Sequence, residues 1–310
     1  MTNLERQCES CASSRIKLHK LRTELAYWIC ESCGHCLIQS QLSNDENFGK
    51  AQEMYFGQDS ILIQLKPTSL DDEILTERQR VTSDYVQPGG AVLEVGPGAG
   101  FFSQWLLERG NQPHLVEHSP VLADLLRDRL KVQVTSGEFE TTDLPPASFQ
   151  AFCSFHVIEH VVDPLRHLQV GLAMVRSGGY GFIATPNARS WQQRWFSLLS
   201  PNFDAAHLRV FSPASLRKFC EQAGWEIVRF ETPEFTTGWL RVASKLLRRL
   251  RNEDETLTAG KYAGIPSSRS QWIYRLLTTL TSPLRQIQKH AGAGNEVFFV
   301  IRKPKLDPSQ

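Results

Sequence analysis

From Ala91 onward, short apolar runs alternate with segments in which apolar residues recur at every third or fourth position. The runs are typical of buried strands, and the periodic segments are typical of amphipathic helices. Strands are predicted at 91–95, 114–117, 132–135, 149–155, 180–185, 225–230 and 296–302, and helices at 102–109, 120–130, 163–175 and 212–223. This alternation indicates βαβ units, so we predict an α/β fold with a Rossmann-like, doubly wound, seven-stranded sheet.

Two further segments lie outside this alternation. Residues 69–85 carry a loose apolar stripe and are predicted to form a helix after an irregular connector. Residues 234–294 are too long for a plain connection between two strands, and they hold ten Lys or Arg against four acidic residues. Two interpretations of this basic helical insert stay open: a lid or dimer contact with a solvated basic face, or a surface for an anionic substrate or membrane headgroups.

Length and composition limit the class of protein. The chain has 310 residues, 41% hydrophobic and 22% charged, which suits one α/β domain with a small accessory module. Its formal net charge of +1 gives no global attraction to nucleic acid or acidic membranes, so any such affinity must come from a local patch. Residues 1–15 lack the apolar stretch of a secretory signal, and no run approaches the length of a membrane-spanning helix. We therefore expect a cytoplasmic protein.

Four cysteines near the N-terminus form two Cys-x-x-Cys pairs separated by 18 residues. Four thiolates at this spacing can surround one ion, whose binding energy folds a segment too short to form a core. The ligands expected for a structural zinc are Cys8, Cys11, Cys30 and Cys33. The neighbouring His35 or Cys36 could replace one of them, and we favour Cys33 over Cys36. Cys153 and Cys220 lie in apolar contexts and are expected to be buried without a chemical role.

A glycine-rich turn follows the first predicted strand and precedes a helix. Its pattern is G-x-G-x-G, formed by Gly96, Gly98 and Gly100. A dinucleotide site requires G-x-G-x-x-G, and Phe101 stands where the third dinucleotide glycine would be. Small residues at this place let a nucleotide-like cofactor approach the backbone and the helix N-terminus. Because Glu94 suits an ammonium or sulfonium better than a pyrophosphate, the loop favours S-adenosylmethionine (SAM) over NAD.

The ends of the next two strands carry residues that suit the same cofactor. Glu117 lies about 20 residues past the loop, where a carboxylate can accept both ribose hydroxyl protons. Glu138 and Phe139 follow the third strand and offer an acceptor and an aromatic ring near an adenine.

Several segments of the chain resemble the class I SAM-dependent methyltransferases, in particular a large bacterial group. They are Phe155-His156-Val157-Ile158-Glu159-His160-Val161, Asp163-Pro164, Ser177-Gly178-Gly179, Thr185-Pro186-Asn187 and His207-Leu208-Arg209-Val210-Phe211-Ser212-Pro213. The resemblance spans roughly Tyr85 to Phe230 and the last strand, and the fold it implies has that strand antiparallel to its neighbours. The chain departs from the group where Gln150 replaces an Asp and where Asp204-Ala205-Ala206 replaces a Pro-Arg run.

The resemblance implies a set of cofactor-binding residues. The glycines would line the SAM, Glu117 would hold the ribose, Glu138 and Phe139 the adenine, and Phe155 and His156 the methionine side. The full set is Glu94, Gly96, Gly98, Gly100, Glu117, His118, Glu138, Phe139, Phe155 and His156. Members of the group often carry an N-terminal zinc ribbon, and many act in cell-surface glycan or secondary-metabolite biosynthesis. The expected acceptor is therefore a small molecule or a glycan.

The residues His156, Glu159 and His160 form an H-x-x-E-H pattern. On a helix they would share one face, as in the inverted zinc-protease motif, but their place between a strand and a helix in a chain with a cofactor loop disfavours a peptidase. The pattern is similar to the E-x-x-E-H stretch of ubiquinone-pathway O-methyltransferases, with His156 in place of the first Glu. Either the three residues bind a divalent ion that polarises a substrate hydroxyl, or Glu159 and His160 only shape the pocket. His160 or His207 is the candidate general base.

The sequence thus predicts a SAM-dependent methyltransferase in four parts. They are a zinc ribbon at 1–45, a linker and helix at 46–90, a SAM-binding domain at 91–233 plus 295–304, and the basic insert at 234–294. The alternatives are an RNA methyltransferase that uses the ribbon and a non-catalytic SAM-binding protein. Against RNA, residues 1–60 carry eight acids and six bases, and no Asn-Pro-Pro-Tyr or Asp-Pro-Pro-Tyr segment follows the fourth strand.

Overall fold

The computed structural model describes residues 7–22, 25–40, 69–196, 200, 202, 207–251 and 268–305. The strands in chain order are β1 (Ile16–Arg22), β2 (Leu25–Cys30), β3 (Cys36–Ser40), β4 (Ala91–Val95), β5 (Gln112–Glu117), β6 (Gln133–Ser136), β7 (Phe149–Phe155), β8 (Val175–Pro186), β9 (Arg209–Val210), β10 (Glu226–Glu231) and β11 (Glu296–Arg302). The helices are α1 (Ser69–Ser83), α2 (Phe101–Glu108), α3 (Pro120–Leu130), α4 (Pro164–Met174), α5 (Trp191–Phe196), α6 (Pro213–Gln222), α7 (Thr236–Leu250) and α8 (Ser268–His290). The expected connector before residue 69 and the Asp204-Ala205-Ala206 segment lie outside the described residues.

Seven strands form one mixed sheet in the order β10-β11-β8-β7-β4-β5-β6. Strands β4 to β8 pair in parallel, and β11 is antiparallel to both β8 and β10. The order reverses at β4, so helices cover both faces, as in a doubly wound sheet. The predicted α/β fold with an antiparallel last strand is therefore confirmed. We call this sheet and the helices packed on it the sheet domain.

The two faces of the sheet hold separate apolar cores. Every residue of β7 is buried, as expected of a central parallel strand covered on both faces. Phe152 points into one core and Cys153 into the other. Cys220 lies in the first core, so both of these cysteines are buried among apolar side chains as the sequence indicates.

Three helices begin with the same local pattern, an N-cap with a short polar side chain followed by proline. Ser119, Asp163 and Ser212 accept hydrogen bonds from the backbone N–H groups of the first turns of α3, α4 and α6. Proline at the first helical position loses no hydrogen bond and has a suitable φ. Because the cap of α3 follows β5 closely, it fixes the loop between them at the carboxyl edge of the sheet.

A second, four-stranded sheet has the order β1-β2-β3-β9. The first three strands form the antiparallel ribbon that carries the four cysteines. The fourth strand comes from the sheet domain, where β9 pairs with β3 through Cys36 opposite Val210 and Leu37 opposite Arg209. The sequence pattern predicts neither the ribbon strands nor β9. The ribbon is thus joined to the sheet domain by backbone hydrogen bonds.

The basic insert contains the two helices α7 and α8, which pack against each other. Helix α8 is 23 residues long. Among the described helices, none has the length and apolar character needed to cross a membrane.

Candidate functional site

The glycine loop lies between β4 and α2 at the carboxyl edge of the sheet. All three glycines have positive φ, at 63°, 54° and 69° for Gly96, Gly98 and Gly100, which favours glycine. A Cβ at Gly96 would lie 2.5 Å from Val157 Cγ2, and one at Gly100 would lie 2.7 Å from Leu126 Cδ2. At Gly98, in contrast, nothing lies within 4 Å of the Cβ position. The loop is therefore packed against the protein at two glycines and open to a ligand at the third.

Glu94 is buried beneath this loop and accepts a hydrogen bond from the Ser103 hydroxyl. Burial raises the pKa of Glu94 to about 7, against the opposite effects of Ser103 and the positive charge of Arg78. The Arg78 guanidinium lies 4.5 Å from the centre of the Phe155 ring. Arg78 is a site residue that the sequence did not indicate, because an arginine on a helix before the first strand looks like any solvated surface residue.

Glu117 ends β5 next to the glycine loop, because β4 and β5 pair in parallel up to Val95 opposite Val116. Its Oε1 accepts the Ser119 backbone N–H at 2.9 Å, and its side chain is buried. Burial raises the pKa of Glu117 to about 7, although backbone N–H groups of its neighbours oppose this. The structure thus brings Glu117, followed by the partly buried His118, to the loop, as the sequence analysis expects.

Phe139 differs from the expectation of an aromatic ring beside an adenine. It follows Glu138 in a single turn of 3-10 helix, and its ring is 3% exposed. The ring stacks on Phe152 with centroids 5.5 Å apart and meets the edge of His167. Because the apolar core takes up this ring, Phe139 presents no exposed aromatic face. Glu138, which follows β6, is exposed.

His156 has an unusual backbone and two acidic partners. Its φ is 56°, a left-handed conformation that is costly for a residue with a Cβ. Its Nδ1 lies 3.1 Å from Glu159 Oε1 and its Nε2 lies 2.6 Å from Glu296 Oε2. Burial alone would lower the pKa of His156, but the carboxylates of Glu296 and Glu159 outweigh it and raise the pKa to about 9. His156 therefore lies between two carboxylates that favour its protonated form, beside the buried Phe155 ring.

The H-x-x-E-H segment forms turns, not the helix on which the zinc-protease comparison depends. The physical reason is that β7 ends at Phe155 and α4 begins only after Asp163, so the chain must reverse in between. Consequently His156 does not join Glu159 and His160 as a third ligand. The residues whose ligand atoms lie within 4.8 Å of one another are Glu159, His160 and His207. We call these three residues the Glu159 cluster.

The Glu159 cluster combines one ionised carboxylate with two imidazoles. Glu159 is fully buried, and its Oε2 accepts a hydrogen bond from Thr185 Oγ1 at 2.9 Å. Burial would raise the pKa of Glu159, but the hydrogen bond from His156 and the nearby histidines lower it. His207 donates from Nδ1 to the carbonyl oxygen of Asn202 at 3.0 Å, which leaves Nε2 as the acceptor. The rings of His160 and His207 lie 4.8 Å apart. This arrangement can accept a proton or hold a cation.

Arg209 connects the ribbon to the loop that carries the Glu159 cluster. The Glu9 carboxylate in the ribbon accepts hydrogen bonds from Arg209 Nε at 2.8 Å and from His35 Nε2 at 2.7 Å. Arg209 also donates to the carbonyl oxygens of Val161 and Val162, the second at 3.1 Å. In addition, the backbone N–H of the residue before Arg209 donates to the Glu159 carbonyl at 2.9 Å. The ribbon therefore supports the same loop that positions Glu159 and His160.

The four expected zinc ligands come together in the ribbon. Their sulfur atoms all lie within 4.8 Å of one another, with 3.6 Å between Cys8 and Cys33 and between Cys11 and Cys30. Cys36 lies apart from this group in a small core with Tyr27, Ile38 and Val210. His35 is directed to Glu9 instead. The structure thus groups Cys33, and neither Cys36 nor His35, with the other three cysteines.

Comparison with known proteins gives a consistent family. A family model described as a methyltransferase domain matches residues 70–229. A ubiquinone biosynthesis O-methyltransferase of Xanthomonas campestris is 32% identical over 118 residues, which cover 34% of this chain and 49% of that protein. A Mycolicibacterium smegmatis protein named as an S-adenosylmethionine-dependent methyltransferase is 26% identical over 140 residues, which cover 45% of this chain and 53% of that protein. The chain spans about half the length of these curated relatives.

Among solved structures, a SAM-dependent methyltransferase from Archaeoglobus fulgidus superposes with a TM-score of 0.50 and 20% identity. The match covers 83% of this chain and 99% of that one. At this identity the likeness concerns the fold of the sheet domain.

Proposed function

This chain belongs to the methyltransferase-domain family, and from that premise we propose that it transfers the methyl group of SAM to a small-molecule or glycan acceptor. The observation that carries the proposal is the glycine loop, which is open at Gly98 and lies beside Glu117 at the carboxyl edge of the sheet. By its resemblance to the bacterial group described above, we further propose a role in cell-surface glycan or secondary-metabolite biosynthesis.

Several residues of the site fit SAM. Glu117 would accept the ribose hydroxyls, and Gly98 would let the cofactor reach the loop backbone. Glu94 and Arg78 would lie at the methionine side, where their charges would complement an amino acid ammonium and carboxylate. Phe155 would close this side with an apolar surface. Bound SAM supplies an electrophilic methyl group on a sulfonium, so the main task of the protein is to hold the acceptor in line with that methyl.

The acceptor must lose a proton when its oxygen or nitrogen attacks. His207 suits this role because its Nδ1 donates to a backbone carbonyl and its Nε2 carries the lone pair. Glu159 lies in the same cluster, with a carboxylate oxygen within 4.8 Å of a His207 ring nitrogen. His160, in ring contact with His207, is the second candidate for the same role.

A divalent ion in the Glu159 cluster is the other chemistry that this donor set allows. One carboxylate oxygen and two imidazole nitrogens within 4.8 Å fit the ligand preferences of Zn²⁺ and related transition metals. The ion would act as a Lewis acid on the acceptor. We propose separately that the four ribbon cysteines hold a structural zinc, because their sulfurs are already grouped for tetrahedral coordination.

The proposal is tested by calorimetric titration of the full-length protein with SAM and, separately, with NADH, together with a zinc assay on the same sample. We expect SAM binding, no NADH binding and one zinc per chain, held by the ribbon; a second zinc would lie in the Glu159 cluster. A screen with methyl-labelled SAM and nucleotide sugars, phenols and a control RNA then identifies the acceptor class. Folded, zinc-loaded protein that does not bind SAM would refute the proposal, and binding without turnover on any acceptor would favour the non-catalytic alternative.

The two roles of the Glu159 cluster can be separated with Mn²⁺, which prefers nitrogen and oxygen ligands to the thiolates of the ribbon. If the cluster holds a metal, paramagnetic resonance should detect one Mn²⁺ bound to the wild type and none bound to His207→Gln. If His207 acts only as a base, neither protein binds Mn²⁺, and the turnover of the variant recovers partly at high pH.

A further inference from the structure

One face of helix α8 in the insert carries polar side chains that contact the rest of the protein. Tyr274 donates to Glu73 Oε2 at 2.7 Å, and Arg285 donates to the Glu234 carbonyl at 3.2 Å. Gln288 is fully buried and donates to Glu234 Oε2 at 2.8 Å and to the Gln192 side chain. These contacts are specific hydrogen bonds between buried polar groups, so they define which face of α8 belongs against the sheet domain.

The opposite face of α8 is apolar and exposed. Its large side chains recur at intervals of three or four residues and form one stripe along the helix. They are Trp272, Leu276, Leu280, Leu284 and Ile287, and each of these residues is between 47% and 67% exposed to solvent. An ordinary surface helix has the reverse arrangement, with its apolar side turned inward. The reversed arrangement of α8 indicates that its outer face meets an apolar phase.

The helices next to α8 also carry exposed apolar side chains. Helix α7 packs against both α5 and α8, and it buries Lys245, whose Nζ donates to the Ser200 carbonyl at 3.1 Å. The exposed large side chains on α5 and α7 are Trp195, Leu246, Leu247 and Leu250. Together with the stripe of α8 they account for nine of the fourteen exposed large apolar side chains among the described residues. We call these nine residues the insert patch. Such a concentration marks an interaction surface, because single exposed apolar residues are normally scattered.

The charges around the insert patch select its partner. Neither α7 nor α8 contains an Asp or Glu, whereas Arg241, Arg249 and Arg275 occupy exposed positions on them. A second copy of this chain docked through the same patch would bring together two helix pairs whose own residues include no acid to offset the arginines. An anionic lipid surface offers both an apolar layer for the leucines and negative headgroups for the arginines, and tryptophan favours the boundary between the two.

We infer that the insert patch docks on an anionic membrane surface. Helix α8 lies in the plane of the headgroups, with its apolar stripe in the lipid and its polar face held on the sheet domain by Tyr274, Arg285 and Gln288. This docking is independent of methyl transfer, so it can be tested on protein whose acceptor is unknown.

The test is cosedimentation of the full-length protein with vesicles of phosphatidylcholine alone or with 30% phosphatidylglycerol. We expect binding to the anionic vesicles, little binding to the neutral ones, and weaker binding as salt rises, since headgroup attraction is screened. The double variant Leu276→Gln, Leu280→Gln should weaken the apparent Kd for anionic vesicles at least tenfold. The matched control, Val121→Gln with Val228→Gln, removes two exposed apolar residues outside the patch and should bind like the wild type.

Circular dichroism and SAM calorimetry check that each variant is folded, so a loss of vesicle binding reports on the surface alone. The inference is wrong if anionic vesicles do not bind the wild type, or if the leucine variant binds them as well as the control variant does. It is also wrong if the wild type and the control variant elute as dimers in gel filtration while the leucine variant elutes as a monomer, because a second copy then covers the patch.

Discussion

At the scale of single residues, Gly98 differs from Gly96 and Gly100 because the space around its Cβ position is empty. Gly98 and Gly110 both have positive φ and nothing within 4 Å of the Cβ position, but only Gly98 lies in the loop between β4 and α2. Alanine at either position should therefore lower the free energy of unfolding by a similar amount, about 1 to 2 kcal/mol. Only Gly98→Ala should also weaken SAM binding, by at least tenfold, because its methyl group fills the space left for the cofactor. Denaturant unfolding and calorimetry on both variants measure the two effects, and equal SAM affinities would mean that the cofactor does not lie over Gly98.

The raised pKa of Glu117 predicts a pH dependence of cofactor binding. The ribose hydroxyls need an ionised carboxylate, and burial holds the pKa of Glu117 at about 7. Affinity should thus fall as the pH drops from 8 to 6, by about tenfold for each pH unit below the pKa. Glu117→Gln should bind weakly at both pH values and show a smaller ratio, since Glu94 still titrates near the same pH. Titration with S-adenosylhomocysteine at pH 6, 7 and 8 checks this, and an unchanged ratio in the variant would contradict it.

The raised pKa of Glu117 has the opposite effect on the stability of the unliganded protein. Because the pKa of Glu117 is raised on folding, the protonated group favours the folded state, and this contribution is fully present below the unfolded pKa of about 4.3. It is lost as the pH rises through about 7. Cofactor binding and unliganded stability should therefore have opposite pH trends between 5 and 8.

Local sequence anticipated the residues whose role depends on their own backbone or spacing. The three glycines, Glu117 and the two Cys-x-x-Cys pairs all lie where a loop or a strand end places them. It did not anticipate the surroundings of residues whose place depends on distant packing. Phe139 turns into the core because Phe152 offers a stacking partner, and His156 leaves the expected ligand set because Glu296 from the last strand takes its Nε2.

At the scale of elements, the salt bridge between Arg209 and Glu9 predicts that β9 controls the loop after β7. Arg209 is 6% exposed and donates to the carbonyls of Val161 and Val162 as well as to Glu9. Arg209→Gln should lower the free energy of unfolding by about 2 to 3 kcal/mol, because charged hydrogen bonds are lost in a buried place. It should also speed hydrogen exchange of the 157–162 loop while SAM affinity stays unchanged. Mass-spectrometric exchange measures this without an acceptor.

The control for this experiment is Arg217→Gln on the adjoining helix α6. Arg217 is 40% exposed in its side chain and lies 3.7 Å from Glu221, so its loss should cost less than about 1 kcal/mol. It should leave the exchange of the 157–162 loop as in the wild type. If both variants speed this exchange equally, the effect is a general loss of stability and the specific link through Arg209 is excluded.

The sequence pattern predicted well those elements whose own residues form a continuous apolar run. Strands β4, β7 and β11 have the predicted bounds, since each is an apolar run between turn residues. Strand β9 has two residues and exists only because β3, far away in the chain, pairs with it. No local pattern can reveal such an element. For the same reason the sequence separated the ribbon from the sheet domain, although one hydrogen-bonded sheet contains strands of both.

At the scale of the whole molecule, this shared sheet predicts that the ribbon and the sheet domain unfold together. Besides β3 and β9, Ser212 Oγ donates to the Cys33 carbonyl at 2.5 Å, and Ser10 Oγ donates to the Ser215 carbonyl at 3.3 Å. Both serines of the sheet domain belong to the capping box that starts α6. Loss of the ribbon structure thus removes partners from the N-terminus of a helix in the sheet domain.

Replacing one cysteine tests this coupling. Cys33→Ser should lose the zinc and, because the ribbon supports β9 and α6, should speed hydrogen exchange across 207–216 and lower the melting temperature of the sheet domain as well. Cys36→Ser is the matched control: it also changes a buried sulfur of the ribbon, but one that packs with Tyr27 and Val210 away from the other four. It should keep one zinc per chain, and its hydrogen exchange at 207–216 should stay as slow as in the wild type. If Cys33→Ser loses its zinc while exchange at 207–216 and the melting of the sheet domain stay unchanged, the ribbon folds as an independent module. The boundary that the sequence placed at residue 45 would then describe the protein better than the shared sheet does.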